Sequence, residues 1–229
     1  MTLIQKNLIE IKNAIIRHEK KYAREIGSVS LLAVSKGQSI EKIKEAYDAG
    51  QRSFGENYLK EALIKIEALS DLLIEWHFIG SVQNNKTRKI AAHFSWVQSV
   101  DHIKIAERLN AQRPNSLPPL NICIEVNISE EATKSGVAIA QVLPLASACL
   151  SLPRLKLRGL MAIPSLQKTV EEQRQSFHQL ELLWQSLREK DIPLDTLSIG
   201  MSHDFEAAIA EGATLVRIGT AIFGERTVF

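Results

Sequence analysis

The sequence predicts an α/β fold built as a single (β/α)8 barrel over residues 1–229, with one extra helix ahead of the first strand. Three observations lead there. Short runs rich in Val, Ile and Leu alternate with longer amphipathic stretches from end to end, and such alternation implies a parallel sheet. Eight such units fit in 229 residues, within the range over which this barrel closes. The rival architecture, an open doubly wound sheet, loses support because no G-x-G-x-x-G follows the first strand. No low-complexity linker divides the chain, so no second domain is expected.

Ile4, Leu8, Ile11 and Ile15 recur at helical spacing and predict a long amphipathic N-terminal helix. Residues 29–35 form an apolar run with the length of a buried strand. A helix carrying Ile40, Ile43 and Tyr47 follows, and Gly50 is placed to end it. Residues 52–55 make a short second strand, and 56–69 a helix. Strand three spans 74–80, before a polar helix over 84–93. Residues 95–100 read as strand four, with Asp101 capping a helix that runs through Asn110. The proline-rich loop 113–119 leads into 120–128, whose Ile, Val and Cys content suits a strand covered on both faces. A loop at 134–136 precedes a helix over 138–150 and strand six over 155–162. Phe177, Leu180, Trp184 and Leu187 define the next amphipathic helix. Strand seven is 196–199, a short helix 205–210 and strand eight 214–218, after which no helix is expected.

Composition excludes several classes. At 45% hydrophobic and 24% charged the chain is ordinary for a globular protein, and a net charge of +2 argues for neither a nucleic-acid groove nor an anionic membrane surface. Cys123 and Cys149 form no C-x-x-C and sit in apolar stretches, as reduced core thiols do. No apolar run approaches the roughly 20 residues of a membrane span. Residues 1–11 hold no signal-peptide core. A cytoplasmic location is expected. Without a large exposed apolar stripe, a monomer is expected too.

Lys36 closes the first strand, with Gly37 directly after it. That is the carboxyl edge, where α/β proteins bind ligands. An amine leaving an apolar wall is disfavoured as an ammonium, and lowering a lysine's pKa from ~10.4 is how proteins make Schiff-base lysines. By itself Lys36 reads first as a lysine snorkelling from a strand end into solvent. The loops after strands seven and eight, 198–204 and 217–224, are where such barrels hold phosphate. Gly200 and Gly219 permit close backbone approach. Ser202 stands at the expected N-cap of the 205–210 helix, and Thr220 offers a second hydroxyl. Either stretch alone is also an ordinary tight turn. Arg217 ends strand eight on the same rim, beside strand one in a closed barrel. A lysine, an arginine and a phosphate cradle thus converge, as a phosphorylated aldehyde cofactor requires.

Six stretches then act together: Ala33-Val34-Ser35-Lys36, Phe54-Gly55-Glu56-Asn57-Tyr58, Trp76-His77-Phe78-Ile79-Gly80, Arg158-Gly159-Leu160-Met161, Gly200-Met201-Ser202 and the run 217–224. In order, and across essentially the whole chain, they resemble the pyridoxal phosphate homeostasis protein family, which includes the proline-synthase-co-transcribed homologues. The resemblance implies an alanine-racemase-like barrel without that enzyme's added β domain, and pyridoxal 5′-phosphate as cofactor. It implies Lys36 as the Schiff-base lysine, Asn57 beside the cofactor, Ser202, Gly219 and Thr220 on the phosphate, and Arg217 facing the pyridine nitrogen. Arginine cannot accept a proton, so a pyridine nitrogen facing it stays unprotonated and is a weaker electron sink. The implied function is to carry and buffer the cofactor for vitamin B6 homeostasis, with no catalytic residue and with transient contacts to apo-enzymes. The run 81–86 has Val82 where leucine is more familiar, and His203 stands beside the phosphate serine.

Two enzymatic readings remain beside it. A small amino-acid racemase would need an acid/base opposite Lys36, and Tyr22, Tyr47 and Tyr58 are the available tyrosines. A cofactor-free Schiff-base aldolase would need an acid/base from Glu56 or Asp204. His77 reads as a structural histidine and His203 as an exposed first-turn residue. Lys134 is a rim-loop lysine able in principle to receive the aldehyde. The six histidines form no H-x-x-x-H pair, so no metal is expected, and Lys12, Lys20 and Lys21 read as a solvated face.

Overall fold

The computed structural model describes residues 1–129, 135–165, 167 and 169–225. Strands β1 (Ser30–Val34), β2 (Ser53–Glu56), β3 (Glu75–Phe78), β4 (Trp96–Val100), β5 (Leu120–Glu125), β6 (Leu155–Met161), β7 (Thr196–Ser198) and β8 (Leu215–Ile218) pair in parallel, in chain order, and close into a barrel. Around them lie α1 (Leu3–Lys21), α2 (Ile40–Asp48), α3 (Leu59–Ala68), α4 (Thr87–His93), α5 (Ile103–Gln112), α6 (Ile139–Leu150), α7 (Val170–Arg188), α8 (Phe205–Ala210) and α9 (Thr220–Phe223). The (β/α)8 expectation, with its leading helix, is met.

The helix α1 starts with a capping box. The Thr2 hydroxyl accepts the Gln5 N–H, and the Gln5 side chain returns to the Thr2 N–H. Its buried face, Ile4, Leu8 and Ile15, lies against α8 and α9. Glu19, fully buried at its far end, accepts the N–H groups of Gly27 and Val29 at 3.1 and 2.9 Å and fixes where the chain enters β1.

The main apolar core fills the layer between strands and helices, with Phe54, Phe78, Val97, Ile122, Leu160 and Leu197 facing outward from the sheet. Strand alternation sends the intervening residues inward. Trp96, Cys123 and Met161 form a separate small cluster there. The remaining interior is unusually polar, since His77, Gln98, Ser198 and Arg217 are all buried. The burial that drives closure therefore acts mainly between the two layers, while the barrel's axis is held by hydrogen bonds.

Several local expectations need correction. Asp101 does not cap α5: His102 takes the cap position, and its Nδ1 accepts the Lys104 N–H at 3.2 Å. Ser202 does not cap α8, where Asp204 occupies that position. A helix does follow the last strand, the short α9. The third helix begins at Leu59 rather than 56, because Glu56 still belongs to β2. The fifth strand ends at Glu125 rather than 128, and Val126 beyond it pairs with Val137 only as an isolated bridge. Among the described residues no helix is long and apolar enough to cross a membrane.

Candidate ligand site at the carboxyl rim

A cavity of about 190 Å³ opens at the carboxyl ends of β1, β2, β7 and β8, and Lys36, Asn57, Ser202, Arg217, Gly219 and Thr220 all line it. Each of the six residues singled out from sequence therefore reaches one space. Val34 and Ile79 add apolar wall.

The turn that carries Lys36 is tied down on both sides. Gly37 adopts φ +69°, a conformation glycine takes without strain, and its N–H donates to Glu61 Oε1 at 2.7 Å. On the other side the Ser35 hydroxyl donates to Glu56 Oε1 at 2.6 Å. The Lys65 ammonium joins the two halves, donating to the Ser35 carbonyl at 2.7 Å, to Glu56 at 2.8 Å and to Glu61. Glu56 is fully buried, and burial pushes its carboxyl up against the opposing pull of Lys65. One Glu56 oxygen, Oε2, has no hydrogen-bond partner. Lys65 is thus a structural cation between two carboxylates, whereas Lys36 faces the cavity.

Asn57 follows β2 directly, and its Oδ1 is buried without a partner, an acceptor aimed at something the chain does not supply. Its backbone is held by Gly80, where a Cβ would lie 2.3 Å from the Asn57 carbonyl oxygen. The Ser99 hydroxyl fixes Gly80 in turn, donating to its carbonyl at 2.5 Å.

The opposite wall is an anion cradle. Asp204 accepts the Met201 N–H at 2.5 Å, which closes the turn and leaves the Ser202 hydroxyl uncommitted to capping. Gly219 lies so close to β1 that a Cβ there would stand 3.1 Å from the Val34 carbonyl oxygen. The first N–H groups of α9 have no helical acceptor, as at any helix start. With the hydroxyls of Ser202 and Thr220, this donor set suits a phosphate. An orphaned acceptor, a lysine, an arginine and a phosphate cradle fit the group that the sequence implies.

Arg217 spans the cavity floor. One terminal nitrogen donates to the Ser198 carbonyl at 2.5 Å and its hydroxyl at 2.8 Å; the other donates to the Ala162 carbonyl at 2.9 Å. Burial pushes its pKa down to about 10, with Asp204 and Glu125 opposing, so it remains a cation at neutral pH. Among the described residues no carboxylate is bonded to it.

Glu125 lies close by, and burial, reinforced by Asp101 and opposed by Arg217, pushes its carboxyl up to about 7. Because that value exceeds the ordinary 4.5, the folded protein holds the proton more tightly than the unfolded chain. Stability is therefore lost as pH rises from the unfolded value through 7. Glu125→Gln should be more stable than the parent at pH 8, by up to about 3 kcal/mol, and equal to it near pH 4. Urea denaturation at the two pH values checks this, and a gap that is unchanged between them contradicts it.

The other candidates lie elsewhere. His77 is buried, stacks on Trp96 at 5.1 Å and bonds Glu75, away from the cavity. His203 is exposed at the cavity edge, in the turn ahead of α8 rather than in its first turn. Tyr58 is 57% exposed, Tyr22 donates to Glu206, Tyr47 accepts the Leu73 N–H, and none of these three lines the cavity. Glu56 and Asp204 are both spent on structural bonds. Lys20 and Lys21 are exposed, Lys21 pairing with Glu206 at 2.7 Å. Lys134 falls outside the described residues. Among the described residues no group of three or more His, Cys, Asp or Glu could hold a metal ion.

Residues whose roles were missed in the sequence are Glu61, Lys65, Gln98 and Ser198. Glu61 and Lys65 carried a weak signal as an i, i+4 pair on one helix. The rest become legible only through contacts across the barrel.

The chain is similar to known proteins along nearly its whole length. Residues 11–227 match the family model described as alanine racemase, N-terminal domain. A protein of Pseudomonas aeruginosa named pyridoxal phosphate homeostasis protein is 52% identical over 226 residues, covering 99% of this chain and 97% of its own. Its namesake in Escherichia coli is 48% identical over 229 residues, covering 99% and 98%. PipY of Synechococcus elongatus, solved with PLP bound, superposes with a TM-score of 0.84 at 35% identity, covering 96% of this chain and all of that one. Alanine racemase of Corynebacterium glutamicum, at 16% identity and a TM-score of 0.69, covers 99% of this chain and 62% of its own, and shares the fold alone.

Proposed function

This chain belongs to the pyridoxal phosphate homeostasis protein family, and from that premise we propose that it binds pyridoxal 5′-phosphate through Lys36 and carries and buffers it for vitamin B6 homeostasis. The observation that supports this most is the meeting of Lys36, Asn57, Ser202, Arg217, Gly219 and Thr220 around one cavity. Bound there, the cofactor would supply an aldehyde able to condense with amines. Ser202, Thr220 and the N–H groups at Gly219 and the start of α9 would hold its phosphate, and Asn57 would lie beside its ring. Arg217 would face the ring nitrogen, where a group that only donates hydrogen bonds keeps that nitrogen unprotonated and mutes carbanion chemistry.

The chain's residues favour holding over turnover. A racemase needs a proton donor on the face opposite Lys36, and no tyrosine lines the cavity among the described residues. We read the protein as one PLP-binding barrel over 1–229, a cytoplasmic monomer that meets PLP-dependent apo-enzymes transiently.

The test mixes cofactor-loaded protein with a PLP-dependent apo-enzyme and follows recovery of its activity, beside incubation of the loaded protein with L-alanine in deuterated water. Transfer without sustained exchange of the amino-acid α-proton is expected. Multiple-turnover exchange would establish the racemase reading instead.

A further inference from the structure

A line of buried polar side chains runs from Arg217 at the cavity floor to the opposite end of the barrel, and donor chemistry fixes its direction. The guanidinium has only donors, so the Ser198 hydroxyl oxygen must accept from it, at 2.8 Å. Ser198 then gives its own hydrogen to Gln98 Oε1, at 2.7 Å. That sets the Gln98 amide, whose Nε2 donates to His77 Nδ1 at 2.9 Å. With Nδ1 an acceptor, the imidazole carries its hydrogen on Nε2 and donates to Glu75 Oε2 at 3.0 Å. Glu75 ends the line as an anion, also taking bonds from the Trp96 indole at 3.0 Å and the Ser53 hydroxyl at 3.1 Å. Arg217, Ser198, Gln98 and His77 are between 0% and 4% exposed, so water does not complete any of these links. The line joins four strands, from β8 through β7 and β4 to β3.

We propose that Ser198, Gln98 and His77 are positioning residues for Arg217, a one-way chain of donors that holds the guanidinium plane toward the ligand's ring and is anchored at Glu75 on the far rim. The proposal rests on Arg217 facing the bound ring, as argued above. Each link depends on the next. If Gln98 turns its amide, its Nε2 faces Ser198, whose O–H loses its acceptor and is left buried without one, a cost that favours turning the serine away from its place on Arg217. If His77 carries a hydrogen on Nδ1, Gln98 has to turn in this way. A neutral imidazole with a bare Nδ1 is therefore the state that keeps Arg217 in place. Burial, the largest influence on this ring, opposes its protonation. Mere satisfaction of buried polar groups would need the same bonds but would not carry an effect from His77 to a ligand it does not touch.

The experiment uses the full chain loaded with pyridoxal 5′-phosphate, and a Lys36 adduct is verified first by borohydride reduction and peptide mapping. Absence of that adduct from the parent protein defeats the reading of the site itself. Given the adduct, Ser198→Ala should shift the absorption maximum of the bound cofactor and weaken its binding about tenfold, in line with a lost charged hydrogen bond. Ser198→Thr, which keeps the hydroxyl, should restore both. His77→Leu, which leaves every cavity residue in place, should shift the absorption maximum in the same direction by less. Folded, loaded Ser198→Ala and His77→Leu proteins with the parent's spectrum and affinity overturn the inference. A reading without substitutions guards against unfolded variants: ¹⁵N shifts of the parent's His77 should report a neutral ring with hydrogen on Nε2. A ring with hydrogen on Nδ1, or on both nitrogens, overturns the inference as well.

Discussion

Lys36→Ala loses the visible absorption of bound pyridoxal 5′-phosphate and binds the cofactor at least about 100-fold more weakly, equivalent to ~2.7 kcal/mol. Lys36→Arg behaves the same way. It keeps the positive charge beside the phosphate cradle but has no primary amine to condense with an aldehyde. Equal losses in the two variants assign the effect to the covalent bond, while substantial retention in Lys36→Arg would assign it to charge. The turn that presents residue 36 is also tied down by its neighbours. The Ser35 hydroxyl and carbonyl and the Gly37 N–H make those bonds. Equilibrium dialysis and absorbance read the result.

Lys65→Met is expected to be the most destabilising substitution near the site. It strips the cation from Glu56, which is fully buried, and leaves a carboxylate whose one remaining partner is the neutral Ser35 hydroxyl. Breaking a buried pair from one side costs about 3–5 kcal/mol. Replacing both partners, as in Lys65→Met with Glu56→Gln, should recover most of that loss, since the uncompensated charge is then gone. Urea denaturation of the single and double variants measures the difference. A loss below about 1 kcal/mol in the single variant would mean that the clamp is dispensable. The same substitution should weaken cofactor binding, because this ammonium ties the Ser35 carbonyl to Glu56 and Glu61, the two carboxylates that hold the Lys36 turn.

What the sequence revealed, and what it hid, follows from the range of the interactions involved. Strand runs such as 29–35 and helix faces such as Ile4, Leu8 and Ile15 are local patterns, so the barrel and its element order could be read directly. Its chain-order topology brings β8 beside β1, and that placed Arg217 near Lys36 before any contact was known. The errors arose where two local signals competed. Ser202 looked like the cap of α8 because serine favours that position. Asp204, two residues on, was the better placed for the cap, and its carboxylate closed the turn instead. At α5 the same competition was settled between Asp101 and His102. Residue pairs far apart in sequence left no pattern at all. Gln98 and Ser198 stand 100 residues apart, and an isolated glutamine in an apolar strand announces neither its partner nor its orientation. Gly80 was visible within a motif, yet its reason, the close pass of the Asn57 carbonyl, is a packing fact.

The most direct test is borohydride reduction of the protein incubated with pyridoxal 5′-phosphate, followed by peptide mass mapping. A visible band before reduction and a pyridoxyl adduct on the peptide carrying Lys36 are the predicted result. No band after saturation with the cofactor, or an adduct confined to other lysines, would contradict the central claim that this cavity holds pyridoxal 5′-phosphate through Lys36.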